Sequence, residues 1–148
     1  MHLYGPTMRL TQFSDYAVRV VLYLATHADR LCSIHEIAQA YGISQNHLMK
    51  VVSDLAGAEY IHSLRGRGGG IRLARPAAEI NIGQLLRHTE GQIDLVGCGS
   101  CILAPACGMT CALREAVGQF FLALDRYSLA DIIAKGRPAQ LRQILTVQ

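Results

Sequence analysis

The sequence predicts a mainly α-helical chain with one small β-hairpin: a winged helix-turn-helix unit followed by a long helix suited to pairing two subunits. Three observations carry this. Two short amphipathic stretches are separated by the tight turn Tyr41-Gly42-Ile43. Two short β-type runs flank a tip of four glycines and two arginines, Arg65-Gly66-Arg67-Gly68-Gly69-Gly70. Farther on, Leu113, Val117, Phe120, Leu124 and Tyr127 are spaced 4, 3, 4 and 3 residues apart, the seam of a heptad repeat.

The elements follow in order. Residues 10–28 read as a first helix, because Phe13, Ala17, Val20, Val21 and Leu24 recur at helical spacing. Ser33-Ile34-His35-Glu36 matches a capping box and opens a short helix through Ala40. After the turn, Ser44 caps a third helix whose apolar stripe is Leu48, Val51, Val52 and Leu55, ending near Gly57. Residues 60–64 and 71–74 are the hairpin strands, and Pro76 ends them. Asn81 caps a further helix over residues 82–89, closed by Gly91. Beyond Cys107 the long helix runs to about Tyr127, its stripe widened by Ala116 and Phe121, and the stretch after Lys135 reads as a short terminal segment. The organisation expected is a DNA-binding unit over 8–78, a short helix and connector over 79–97, a Cys-rich loop over 98–111 and a dimerisation helix region over 112–135.

The chain has 148 residues, 51% of them hydrophobic, which provides a core and leaves apolar surface for a second subunit. No run approaches the roughly 20 apolar residues of a membrane span. Residues 1–7 lack the charged-then-apolar order of a signal peptide, and Met8 offers a native start, so a cytoplasmic protein with no membrane partner is expected. The net charge of +3 is uneven: residues 1–75 hold eight Lys/Arg against five Asp/Glu, and the remainder holds six of each. The basic half is the one expected to meet a polyanion.

Four of the five cysteines, Cys98, Cys101, Cys107 and Cys111, fall in the pattern C-x2-C-x5-C-x3-C. In a reducing compartment this grouping points to metal or redox chemistry rather than structural disulfides. The spacing lacks the two short knuckles of structural zinc sites, and soft thiolates in one loop also suit an iron–sulfur cluster. Zinc, a metal-free thiol switch and an iron–sulfur cluster all remain open on the spacing alone. Ile102, Leu103, Ala104 and Pro105 in the middle gap are apolar and suited to shielding a cluster. Cys32 stands apart and reads as a small apolar residue.

Four segments carry a family resemblance: Met8 to Ala17, the wing from Arg65 to Pro76, Cys101-Ile102-Leu103-Ala104-Pro105-Ala106-Cys107, and Leu124 to Asp131. From Met8 to about Ile133 the sequence resembles the NsrR/IscR (Rrf-type) group of winged-helix regulators, its nitric-oxide-sensing repressors most closely. The resemblance implies a homodimeric repressor whose effector is nitric oxide. It implies an iron–sulfur cluster, 4Fe-4S favoured over 2Fe-2S, held by Cys98, Cys101 and Cys107. Some members add an acidic ligand from the other subunit, here Asp15 of the partner subunit. Two features depart from the pattern: the first gap is only two residues, and Cys111 is additional, one helical turn past Cys107. The fourth ligand is therefore Asp15 or Cys111. Thr110 occupies the place where an IscR-like member has a histidine.

In a helix-turn-helix the second helix enters the major groove and reads bases with its first residues. Ser44, Gln45, Asn46 and His47 are the base-edge candidates, and Lys50 a phosphate contact. Arg65, Arg67, Gly68, Gly69 and Arg72 are expected to place the wing against phosphates or in the minor groove of double-stranded DNA. A dimer paired through Leu113, Val117, Phe120, Leu124 and Tyr127 would read a palindromic operator. An enzyme is not expected: there is no nucleotide-binding glycine pattern at a strand–helix junction, and the histidines are scattered. The alternatives are a same-fold sensor of iron, cluster supply or redox state, a zinc-stabilised DNA-binding protein, and a small redox protein.

Overall fold

The structure, a computed structural model, describes residues 8–146. The signal-peptide reading concerns residues 1–7, which lie outside this range. Helix α1 (Gln12–Thr26) begins at Thr11, whose hydroxyl accepts from the Ser14 N–H at 3.2 Å. Helix α2 (Ile34–Tyr41) starts with the reciprocal Ser33/Glu36 capping box. It stops at Gly42, which sits at φ 65°. A side chain is strained in that left-handed region, so glycine makes the sharp turn into α3 (Gln45–Gly57) inexpensive. The apolar stripe foreseen for this helix, Leu48, Val51, Val52 and Leu55, is buried against α1 and α2.

Strands β1 (Ile61–Leu64) and β2 (Gly70–Leu73) form one antiparallel hairpin, with His62 opposite Arg72 and Leu64 opposite Gly70. Ile71 and Cys32 exchange backbone hydrogen bonds at 2.9 and 2.7 Å, which staples the hairpin to the α1–α2 connection. Helix α4 (Ile82–Glu90) is capped by Asn81, as expected. The loop that follows contains two single 3-10 turns, at Cys98–Ser100 and Ala104–Ala106. Helices α5 (Gly108–Leu124), α6 (Leu129–Lys135) and α7 (Pro138–Thr146) complete the chain. One core holds them together, with Leu24, Ile37, Leu48, Leu55, Ile80, Leu85 and Leu129 at its centre. No helix of the described residues is long and apolar enough to cross a membrane.

Two expectations about the C-terminal third are corrected. The long helix ends at Leu124, so Tyr127 lies outside it. The backbone past Leu124 is drawn to the start of α4: Asn81 donates to the Asp125 carbonyl at 2.7 Å, and the Ile82 N–H to the Tyr127 carbonyl at 3.0 Å. Ser128 and Asp131 then form a second capping box that starts α6. The terminal segment is itself helical. Pro138 takes the first position of α7, where its missing N–H costs nothing, and Leu145 is buried.

Candidate DNA interface and cysteine loop

Capping by Ser44 leaves the first turn of α3 facing solvent. Ser44, Gln45, Asn46, His47 and Lys50 are all exposed, while Leu48 beneath them is fully buried. Gln45 is steadied by His35 of α2, 3.2 Å from its Oε1 to the ring Nδ1, and the His47 ring lies 6.3 Å from that of Tyr16. The helix-turn-helix thus presents one polar face.

The wing presents a second. Arg65, Arg67, Gly68, Gly69 and Arg72 are exposed, and among the described residues none of the three arginines joins an ion pair. Gly68 has φ 71°, and any side chain at Gly69 would press on the Leu64 carbonyl, so these two positions favour glycine. Arg75, not singled out from sequence, lies over the Tyr60 ring at 4.8 Å and braces the wing's base. Its signal was only its proximity to the hairpin.

The cysteines differ sharply in environment. Cys32 is buried, and burial pushes its thiol up to about 11. Cys101 and Cys111 are exposed, Cys98 and Cys107 half-buried, and all are free thiols. Cys107 sits at the N-cap of α5 with no side chain capping that end, and Cys111 lies in its first turn. Cys98 Sγ is 3.3 Å from the Thr110 hydroxyl, beside a cavity of about 410 Å³ that Asp94, Leu113 and Arg114 also line.

Chemically this donor set suits an iron–sulfur group: several uncommitted soft thiols on a Gly-rich loop. The thiols are not drawn into a cage. Among the described residues no three His, Cys, Asp or Glu side chains converge to hold a metal ion. Cysteine ligands lose their protons as the metal binds, so such a site is completed by its metal. The apolar residues expected to shield the site face outward, Ile102 at 93% and Leu103 at 63% exposure. Asp15 is half-exposed on α1, with Arg19 bound to both carboxylate oxygens at 3.0 and 3.1 Å.

Of the apolar seam, Val117, Leu124 and Tyr127 lean partly on the chain's own core, and Leu113 is half-buried. Phe121, not Phe120, is the buried aromatic, while Phe120 remains 44% exposed.

Residues 10–135 match the Rrf2 family, described as an iron-dependent transcriptional regulator. The chain is similar to the HTH-type transcriptional regulator NsrR of Bacillus licheniformis, at 45% identity over 132 residues, covering 85% of this chain and 92% of that protein. Among solved structures it is similar to IscR of T. potens, with a TM-score of 0.72 and 26% identity over 90% of this chain and 92% of that one. CymR, the global cysteine regulator of B. subtilis, shares the fold with a TM-score of 0.67 at 24% identity, over 88% of this chain and 99% of that one. With that family matched over most of its length and relatives that regulate transcription rather than catalyse reactions, the chain belongs to the Rrf2 family of transcriptional regulators and is not an enzyme.

Proposed function

We propose that the chain is a dimeric repressor that senses nitric oxide through an iron–sulfur cluster, and that the cluster sets its affinity for a palindromic operator. The observation that carries this is the group of four free thiols in the loop after α4 and the first turn of α5, in a chain 45% identical to NsrR. Cys98, Cys101 and Cys107 would hold the cluster, 4Fe-4S favoured over 2Fe-2S. When bound, the cluster supplies iron that reacts with nitric oxide. The exposed turn Ser44–His47 would read base edges, and Lys50, Arg65, Arg67 and Arg72 would neutralise phosphates, with Gly68 and Gly69 letting the wing backbone approach. Leu113, Val117, Phe120, Leu124 and Tyr127 would contribute to the subunit contact. The protein would act in the cytoplasm, where operator DNA and reduced thiols coexist.

The fourth ligand is Asp15 of the partner subunit or the same chain's Cys111. The Arg19 contact does not decide against Asp15. An exposed i,i+4 pair is worth about 0.5 kcal/mol, far less than a metal–ligand bond returns. Protein purified without oxygen should be brown and contain iron with acid-labile sulfide. Cys107→Ala should remove the colour. Of Asp15→Ala and Cys111→Ala, the one that destabilises the cluster or changes its spectrum identifies the fourth ligand. Zinc without sulfide would refute the cluster.

A second reading, a sensor of iron or cluster supply, is favoured by the family's description as iron-dependent. Titration with nitric oxide against chelator and oxygen, read by DNA gel shift, separates the two.

A further inference from the structure

Four consecutive residues at the end of α4 grip three separate parts of the chain. Arg87 pairs with Asp125 just past α5, Nη2 to Oδ2 at 2.8 Å, and lies over the Phe121 ring at 4.9 Å. His88 Nε2 meets Asp54 Oδ2 of α3 at 2.6 Å, its ring 6.1 Å from that of Tyr60. Thr89 and Ser14 of α1 share a hydroxyl–hydroxyl bond of 2.6 Å. Glu90 accepts from the Thr11 N–H at 2.6 Å and from its hydroxyl at 2.9 Å, at the very start of α1. The helix then stops at Gly91, and the cysteine loop begins.

We propose that this turn, residues 87–90, is the joint through which the state of the cysteine loop reaches the DNA-reading helix. His88 is then a positioning residue for α3, and Glu90 one for α1. The inference rests on the cluster-controlled reading above and deepens it.

The argument is mechanical. A turn of α-helix is stiff, so a pull on the chain at residue 91 moves Glu90 and His88 together. Asp54 lies ten residues beyond Ser44 on one continuous helix, about 15 Å along its axis, so a shift at Asp54 carries to the exposed first turn of α3. Glu90 and Thr89 hold the start of α1, the turn that bears Asp15. The recognition helix and the helix that bears Asp15 therefore meet at one short segment, directly before the cysteine loop. His88 and Asp54 are each more than a third exposed, so their pair adds little to stability. What it adds is a fixed distance between α4 and α3.

The test compares operator affinity of cluster-loaded and cluster-free protein, for wild type and variants, with absorbance and far-UV circular dichroism as controls. His88→Ala should keep the fold and the cluster spectrum, yet lower the loaded-to-free affinity ratio by about fivefold or more. His88→Gln, which keeps a donor toward Asp54, should restore most of the ratio. Asp54→Ala should match His88→Ala, and the double variant should lose no more than either alone. Arg67→Ala should weaken both states equally and leave the ratio intact. Cluster loading should also change hydrogen exchange of α3 amides in wild type but not in His88→Ala. A large wild-type ratio that His88→Ala leaves unchanged overturns the joint alone. A wild-type ratio of one overturns the cluster-controlled reading and the joint with it.

Discussion

Cys32 and the four loop cysteines are one residue type in two chemical situations. Cys32 is buried between α1 and α2, with its backbone bridged to Ile71, and burial holds its thiol near 11, so at neutral pH it stays protonated and inert. The loop thiols are free of disulfides and half-buried or exposed, with Cys98 Sγ touching the Thr110 hydroxyl. Brief alkylation of the folded, cluster-free protein at pH 7.5 should label up to four cysteines by mass, with Cys32 labelled only after denaturation. Early labelling at Cys32 would contradict the burial. This contrast was legible from spacing alone, because four cysteines in fourteen residues serve no packing purpose. The roles of His88, Asp54 and Arg75 were not legible. Each depends on a partner distant in sequence, and no local pattern announces such a pairing.

Elements with strong local signals were readable, and those defined by tertiary contacts were not. Helices α1 to α4 each combine a cap residue with an apolar stripe, and the structure keeps them with only small changes at their ends. The end of α5 escaped because its apolar spacing continues to Tyr127, whereas the backbone there is claimed by Asn81 and Ile82. Helix α7 escaped because its single buried anchor, Leu145, gives a weak pattern.

The α2 cap also predicts a pH response. Burial alone would raise the Glu36 carboxyl, but hydrogen bonds from Arg30, the Ser33 N–H and Tyr23 outweigh it and hold the group at about 2, against an ordinary 4.5. A carboxylate lowered on folding stabilises the native state above its unfolded value. That contribution should be whole above pH 4.5 and fade as the pH falls toward 2. Urea denaturation at pH 7 and pH 3 should show Glu36→Gln losing less stability on acidification than wild type. Equal losses would count against the network.

Across the whole molecule, the outer side of α5 remains unsatisfied. Phe120 is 44% exposed, and an apolar groove of about 340 Å³ runs between Met8, Leu10, Leu95, Val117 and Phe120. A second subunit packed there would join two recognition helices into one reader of a two-fold site. Phe120→Lys should shift sedimentation from dimer to monomer at micromolar concentration. It should also weaken binding to a full palindrome far more than to a single half-site. A dimer that survives the change would move the interface elsewhere.

The central claim is that thiolates of one loop hold a cluster whose integrity decides whether DNA is held. Stepwise nitric oxide titration of oxygen-free, cluster-loaded protein, with absorbance and operator binding followed in the same samples, tests it most directly. The account predicts that loss of the cluster absorbance and loss of operator binding proceed together, with both absent in Cys107→Ala. Operator binding that persists unchanged after the cluster absorbance has gone would contradict it.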